Sequence, residues 1–246
     1  MKIFIATHKE FNSVVPIKDR YNYYITTQVG IAKDLGYFRE NQHNFDNIAE
    51  KNISFCECTL LYFIWKNVRD DIVGLVHYRR YFARKKYFCN MDGFTFKRRN
   101  YVPIKKDEVE EILKDYDIII PKKYLLGKTS VKENYCDAHH EKDWLLTRDA
   151  IFELYPDYLG SFDKVGNGNF LYCYNMFVGK KRIINKYCEW LFDILFKLEK
   201  QIKIDNYSDY NKRVFGFIAE RLFTVWIIHN SHNIKFYEYE VKQIEK

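Results

Sequence analysis

The 246-residue chain is long enough for one α/β domain with a sizeable core or for two small ones, and one domain over residues 1–246 is the expectation. Apolar residues make up 47% and Gly and Pro number only 10 and 4, which excludes a flexible linker or disordered tail; the formal charge of +7 favours an anionic partner such as a nucleotide diphosphate, a membrane surface or nucleic acid. No signal-peptide core follows Met1 and no window approaches 18 uncharged apolar residues, so a cytoplasmic protein is expected, with attachment to the inner face of the plasma membrane left open by its charge.

In chain order, Lys2 to Thr7 (KIFIAT) is β-branched and aromatic and predicts a buried first strand, with His8 and Lys9 at its exit. Asn52 to Asn67 predicts one buried helix, and Ser54 with Glu57 matches a capping box. Ile72 to Val76 predicts a buried strand of a mostly parallel sheet, followed abruptly by His77, Tyr78, Arg79 and Arg80. The basic, aromatic stretch 83–106 predicts a loop or small hairpin, Asp107 to Lys114 a polar helix, and Asp117 to Pro121 another buried strand.

Residues 124–143 show no period and read as a long functional loop. Trp144 to Tyr155 resumes helical spacing, and Phe170 to Val178 predicts a third buried strand interrupted by Asn175. Ile184 to Leu198 carries apolar residues at steps of three and four, as an amphipathic helix does. Val214 to Ile228 predicts a buried helix around Glu220, and Ile234 to Val241 a final strand. Strands alternating with helices predict an α/β fold with a mostly parallel central sheet flanked by helices.

The ends of such strands are where open sheets place ligands, so the residues at the exit of the Ile72 strand stand out. Alternation would send His77 and Arg79 to one face and Tyr78 and Arg80 to the other. Two guanidiniums there could clamp a diphosphate, or cap the sheet as surface arginines. Asp143 could be a general base or the N-cap of the Trp144 helix, and His139 and His140 lie just before it. Glu220, inside FGFIAERLF, must be paired or protonated; an ion pair with Arg213 or Arg221 is one reading, a base or an acceptor for a ligand hydroxyl the other. Asn175 needs partners too, from backbone or from the hydroxyls of a ligand.

Asp115-Tyr116-Asp117 has the letters of a metal-binding DxD motif but opens a strand, at the edge away from the ligand crevice. Cys56, Cys58, Cys89, Cys136, Cys173 and Cys188 are scattered through apolar runs, which suits reduced thiols better than disulfides or zinc.

IFIATHK (3–9), Val29-Gly30, KNISFCECT (51–59), WKN (65–67), GLVHYRRYF (74–82), DIIIPKK (117–123), HHEKDW (139–144), YNMFV (174–178), WLFDIL (190–195) and RVFGFIAERL (213–222) together resemble the bacterial polysaccharide-biosynthesis family described as domain of unknown function 4422. The match runs in order through nearly the whole chain. Cys58 and Gly179 depart from it, where Leu and a larger residue are usual.

The resemblance implies a single GT-A-like, Rossmann-type glycosyltransferase domain, with a nucleotide-sugar half near 1–123 and an acceptor half near 124–246. The donor would be a UDP-sugar, with galactose or galactofuranose as candidates. The acceptor would be a lipid-linked or oligosaccharide glycan in capsule, exopolysaccharide or O-antigen assembly. Donor contacts would come from Thr7, His8, Lys9, Lys51, Asn52, His77, Tyr78, Arg79 and Arg80, and acceptor contacts from His139, His140, Asn175 and Arg213. Asp143 or Glu220 would be the base. No metal is required in this reading, with Mn or Mg the alternative. A catalytically silent nucleotide-binding scaffold is the rival, and nucleic-acid binding is disfavoured because no recognition motif accompanies the basic residues.

Overall fold

Short apolar runs become strands and the longer periodic ones become helices. The computed structural model describes residues 1–13, 15, 23–42, 44–86 and 100–243. The KIFIAT run is β1 (Lys2–Thr7), followed by β2 (Tyr24–Gln28) and β3 (Phe38–Arg39). Then come α1 (Asn52–Phe55), α2 (Cys58–Asn67), β4 (Ile72–His77), β5 (Arg80–Lys86), β6 (Asn100–Pro103) and α3 (Lys106–Asp115). The chain continues through β7 (Ile118–Pro121), β8 (Tyr124–Leu125), α4 (Val131–Ala138), α5 (Glu141–Leu154), α6 (Leu159–Asn167), β9 (Phe170–Leu171) and β10 (Phe177–Lys180). It closes with α7 (Lys181–Gln201), α8 (Val214–Asn230), β11 (Phe236–Tyr239) and β12 (Val241–Gln243).

The central sheet runs β11-β7-β10-β4-β1-β2-β3. Its pairings are parallel except at β10, which is antiparallel to both neighbours. β5 folds back antiparallel from β4 and carries β6 and β12. This is the expected α/β class with a mostly parallel sheet.

Period-two alternation divides the sheet between two cores. Phe4, Ala6, Val73, Leu75, Ile118 and Ile120 face a layer built largely by α2, α7 and α8. Ile3, Ile5, Val76, Ile119 and Val178 face α3, through Val109 and Leu113, and the Tyr81-Phe82 step of β5. Each fully buried Val, Leu, Ile or Phe side chain among them contributes about 1.5–3 kcal/mol.

Several expectations are corrected. The single helix over 52–67 is broken: Cys56 takes φ 51° and α2 restarts at Cys58. Ser54 caps nothing and instead donates to the Lys51 carbonyl at 3.2 Å. The stretch 124–143 is mostly ordered as β8, α4 and the start of α5. The signal for α4 was present in Ser130 and Glu133, which form a reciprocal capping box. α5 begins at Glu141 with His140 at the N-cap position, so Asp143 is not the cap.

The run 170–178 is two strands, not one. Tyr174 and Asn175 lie between them with φ of 79° and 48°, a left-handed pair that ends any strand. The final strand is likewise divided at Glu240. Tyr78 and Arg79 form a tight turn that reverses the chain and pairs Arg80 with His77, so the expected alternation along His77 to Arg80 does not apply. Residues 87–99, including Cys89, lie outside the described residues; the flanking β5 and β6 pair as arms of a hairpin. The cysteines among the described residues are free thiols.

Candidate functional site

β1 and β4 run parallel and end side by side, Ala6 paired with His77. β10, running the other way, starts at the same edge, which brings the Tyr174-Asn175 turn to the ends of β1 and β4. A cleft of about 820 Å³ opens there. Among the described residues it is lined by Thr7, His8 and Lys9 after β1, by His77 to Arg80 after β4, by Tyr174, and by Asn52, Cys56 and Glu57 at the α1–α2 break. Asp209, Arg213, Phe217 and Glu220 complete it from the segment that leads into and along α8.

Cations gather on the β1 and β4 side. Tyr78 is their hub: the Lys9 ammonium lies 5.4 Å and the Arg79 guanidinium 5.0 Å from its ring centroid, and His8 meets its edge at 5.5 Å. Arg80 stacks at 4.4 Å on Tyr174. Stacking holds the guanidiniums while leaving their N–H edges for a ligand. Burial first, then Lys9, Arg79 and Arg213, hold the His8 imidazole below its usual range, so the group favours its neutral form.

Carboxylates occupy the other side. Glu220 Oε1 accepts from the Tyr174 N–H at 3.0 Å and Oε2 from Arg221 Nη1 at 3.3 Å. Glu57 Oε1 accepts from the Asn175 amide at 2.7 Å. Burial, reinforced by the nearby Glu57 charge and opposed by Arg221, raises the Glu220 carboxyl above its ordinary value. The Tyr174 carbonyl accepts from His77 Nε2 at 2.7 Å, which fixes the proton on that nitrogen because a carbonyl cannot donate.

Local backbone choices make this geometry. A Cβ at Gly216 would stand 3.0 Å from Cys56 Cβ and Sγ, so glycine lets α8 approach the α1–α2 break closely. The break exposes Cys56 and Glu57 to the cleft instead of burying them in a continuous helix. Cys56 Sγ accepts from Arg213 Nε at 3.3 Å, and burial pushes its thiol up to about 11, so it is not a ready nucleophile at neutral pH. Gly30, at φ 74°, packs against Asn52 and donates its N–H to Glu40 Oε1 at 2.7 Å.

Of the residues singled out from sequence, Thr7, His8, Lys9, Asn52, His77, Tyr78, Arg79, Arg80, Arg213 and Glu220 meet in this cleft. Five do not line it. Asp143 is 1% exposed and accepts from the Tyr207 hydroxyl at 2.7 Å. Lys51 pairs with Glu199 at 2.5 Å. Asn175 is buried behind Tyr174, its amide committed to Glu57. His140 packs on Tyr207 with ring centroids 4.1 Å apart, and His139 stacks on Phe217 at 4.2 Å, one layer behind the cleft surface.

Glu57, Cys56, Tyr174, Asp209 and Phe217 were missed as site residues. Glu57 carried a signal, a carboxylate inside the apolar run FCECTLLYF, the same anomaly that marked Glu220. Asp115-Tyr116-Asp117 sits as expected at the far edge, where Asp117 pairs with Lys180 at 3.1 Å and Arg182 at 2.7 Å. Among the described residues no three His, Cys, Asp or Glu side chains converge as metal ligands, and no helix is long and apolar enough to cross a membrane.

No curated protein matches the chain. Among solved structures, that of the WbbM bifunctional glycosyltransferase in its apo form is similar over all of this chain, with a TM-score of 0.81 and 28% identity. The chain spans 45% of that protein. The profile described as domain of unknown function DUF4422 matches residues 2–231, and the chain belongs to that family.

Proposed function

We propose that the cleft is the active site of a glycosyltransferase that takes a sugar from a nucleotide-sugar donor and passes it to a glycan hydroxyl. The observation that carries this reading is one cleft that gathers Lys9, Arg79 and Arg80 at the ends of β1 and β4 and faces them with Glu57 and Glu220 from the α1–α2 break and α8, where Arg213 adds a further cation. Similarity to a bifunctional glycosyltransferase over the whole chain adds to it. The donor in this reading is a UDP-sugar, with galactose or galactofuranose as the group transferred. The acceptor is a lipid-linked or oligosaccharide glycan of capsule, exopolysaccharide or O-antigen assembly.

Arg79, Arg80 and Lys9, with His8 and His77 beside them, hold the diphosphate and stabilise the charge that develops as it leaves. Thr7 and Asn52 border the nucleotide. Glu220 is the base: its raised carboxyl is poised to accept the proton of the attacking hydroxyl as the anomeric carbon–oxygen bond to the diphosphate breaks. Glu57 tunes Glu220 by charge. Asp143, held by Tyr207 outside the cleft, takes no part.

The test is thermal stabilisation by UDP, UDP-galactose, UDP-glucose and GDP-mannose, each with Mn²⁺ and with EDTA, followed by donor turnover. A shift with a UDP-sugar and release of UDP supports the reading. A shift without turnover under any acceptor supplied makes the protein a nucleotide-binding scaffold, and no shift with any nucleotide removes the donor site.

A further inference from the structure

Beside the cleft, three rings form a layer with one member left open. Tyr210 is 55% exposed, although it lies between Asp209 and Arg213, both of which line the cleft. Its ring stacks on His139 with centroids 5.6 Å apart and planes 19° apart, and lies 5.0 Å from Phe217. His139 in turn stacks on Phe217 at 4.2 Å and 22°, with its Nδ1 2.9 Å from Asn211 Oδ1. Arg213 lies over Phe217 at 5.2 Å. Tyr210 is thus backed on its inner side and held in place, while more than half of its surface remains in water.

A large aromatic ring that is fixed yet uncovered gains little from the core, and its free area is available to a ligand. Phe217 continues the same apolar surface into the cleft. Asp209, next to Tyr210 in sequence, adds a fully exposed carboxylate to the cleft lining, 3.1 Å from Lys212. An apolar face bordered by an acceptor group complements a saccharide ring, which presents C–H bonds on one face and hydroxyl donors around its rim.

We infer that Tyr210, backed by His139 and Phe217, is the acceptor-sugar platform of the cleft, where a neutral saccharide ring lays its C–H face on the aromatic layer and donates hydroxyl protons to Asp209. The inference rests on the glycosyl-transfer reading and extends it by assigning the acceptor its binding surface. In this reading His139, which does not line the cleft, supports the platform by stacking on Tyr210.

The experiment is titration of the full chain with methyl β-D-galactopyranoside, methyl β-D-galactofuranoside and methyl β-D-glucopyranoside, followed by saturation-transfer NMR, with UDP binding measured in parallel. Tyr210→Ala should weaken binding of at least one glycoside roughly three- to tenfold, Tyr210→Phe should restore it, and the UDP Kd should stay within about twofold. Unchanged glycoside affinity in Tyr210→Ala, or no glycoside bound by the wild type, overturns the inference. Weakened UDP binding in Tyr210→Ala also overturns it, because the ring would then serve the nucleobase. Glycoside binding that depends on Tyr210 in a protein that binds no nucleotide would leave the platform standing and remove the transfer reading.

Discussion

The Asn175 side-chain amide donates to Glu57 Oε1 at 2.7 Å, joining the left-handed turn before β10 to the break between α1 and α2. The bond is 118 residues long in sequence and passes directly behind the cleft. It holds one cleft carboxylate by its side chain, while the neighbouring Tyr174 N–H holds the other, Glu220. Asn is among the few residues that tolerate φ 48° and also present an amide there.

Asn175→Ala loses a hydrogen bond to a carboxylate and leaves the half-buried Glu57 without that partner. We expect a loss of about 1.5–3 kcal/mol in unfolding free energy, read by urea titration, together with reduced turnover. Asn175→Asp should be worse at neutral pH, since it sets a carboxylate against Glu57. Equal stability of the alanine variant and the wild type would show that the bond contributes nothing.

Glu220→Gln should abolish sugar transfer while UDP still raises the melting temperature, and Asp143→Asn should retain turnover because Asp143 does not line the cleft. Near-normal rates in Glu220→Gln would eliminate it as the base.

The acid limb of kcat/KM should follow the raised Glu220 carboxyl, because a base works only when ionised. Activity therefore falls as pH drops through that value, at a higher pH than for an ordinary glutamate. Burial is the larger cause of the rise and the Glu57 charge a further one, so Glu57→Gln should move the acid limb to lower pH. A limb that stays in place would separate Glu57 from the base.

Arg79→Ala and Arg80→Ala should each weaken UDP-sugar binding by roughly tenfold, with a steeper loss at low salt, as measured by calorimetry. Arg80→Lys should not restore it, because lysine loses both the planar fork and the stacking on Tyr174.

Glu40 is fully buried and accepts from Gly30 N–H and from Thr59 Oγ1 at 2.8 Å, yet burial raises its carboxyl from 4.5 to about 7. Between those values the folded protein holds a proton that the unfolded chain has released, so its contribution to stability falls as pH rises from 4.5 to about 7 and is flat above. Glu40→Gln should remove that dependence, gaining up to about 3 kcal/mol on the wild type between pH 5 and pH 8. Parallel stability curves for the two proteins would refute the shift.

Gly74→Ala should destabilise by about 1–3 kcal/mol, since its Cβ would stand 2.9 Å from Val178 Cγ2 and 3.0 Å from the Phe177 carbonyl, which belongs to the backbone and cannot swing away. A melting temperature equal to the wild type's would mean that β10 shifts without cost.

Much of the molecule was legible because local patterns and tertiary burial agreed. IFIA (3–6), VGLV (73–76) and III (118–120) are apolar without interruption, and only the middle of a sheet covered on both faces buries such runs completely. The amphipathic spacing of α7 and the apolarity of α8 on either side of Glu220 and Arg221 likewise admit few environments. The basic cluster after β4 was legible for the same reason, since a buried strand of a parallel sheet must end at a ligand-accessible edge.

What the tertiary structure alone decided lies where the chain breaks its own pattern. The helical period runs straight through Cys56 and Glu57, and only the close approach of α8 at Gly216 accompanies the break that turns Glu57 into the cleft. Nothing local marks Tyr174 as left-handed; its N–H and carbonyl are held by Glu220 and His77, residues distant in sequence. Asp143 and Glu220 looked alike as isolated carboxylates, and their difference is one of placement, behind Tyr207 or within the cleft. Sequence periodicity reports which face of an element is buried, because that is set by spacing along one segment; which polar groups converge is set by contacts between segments, and those have no local signature.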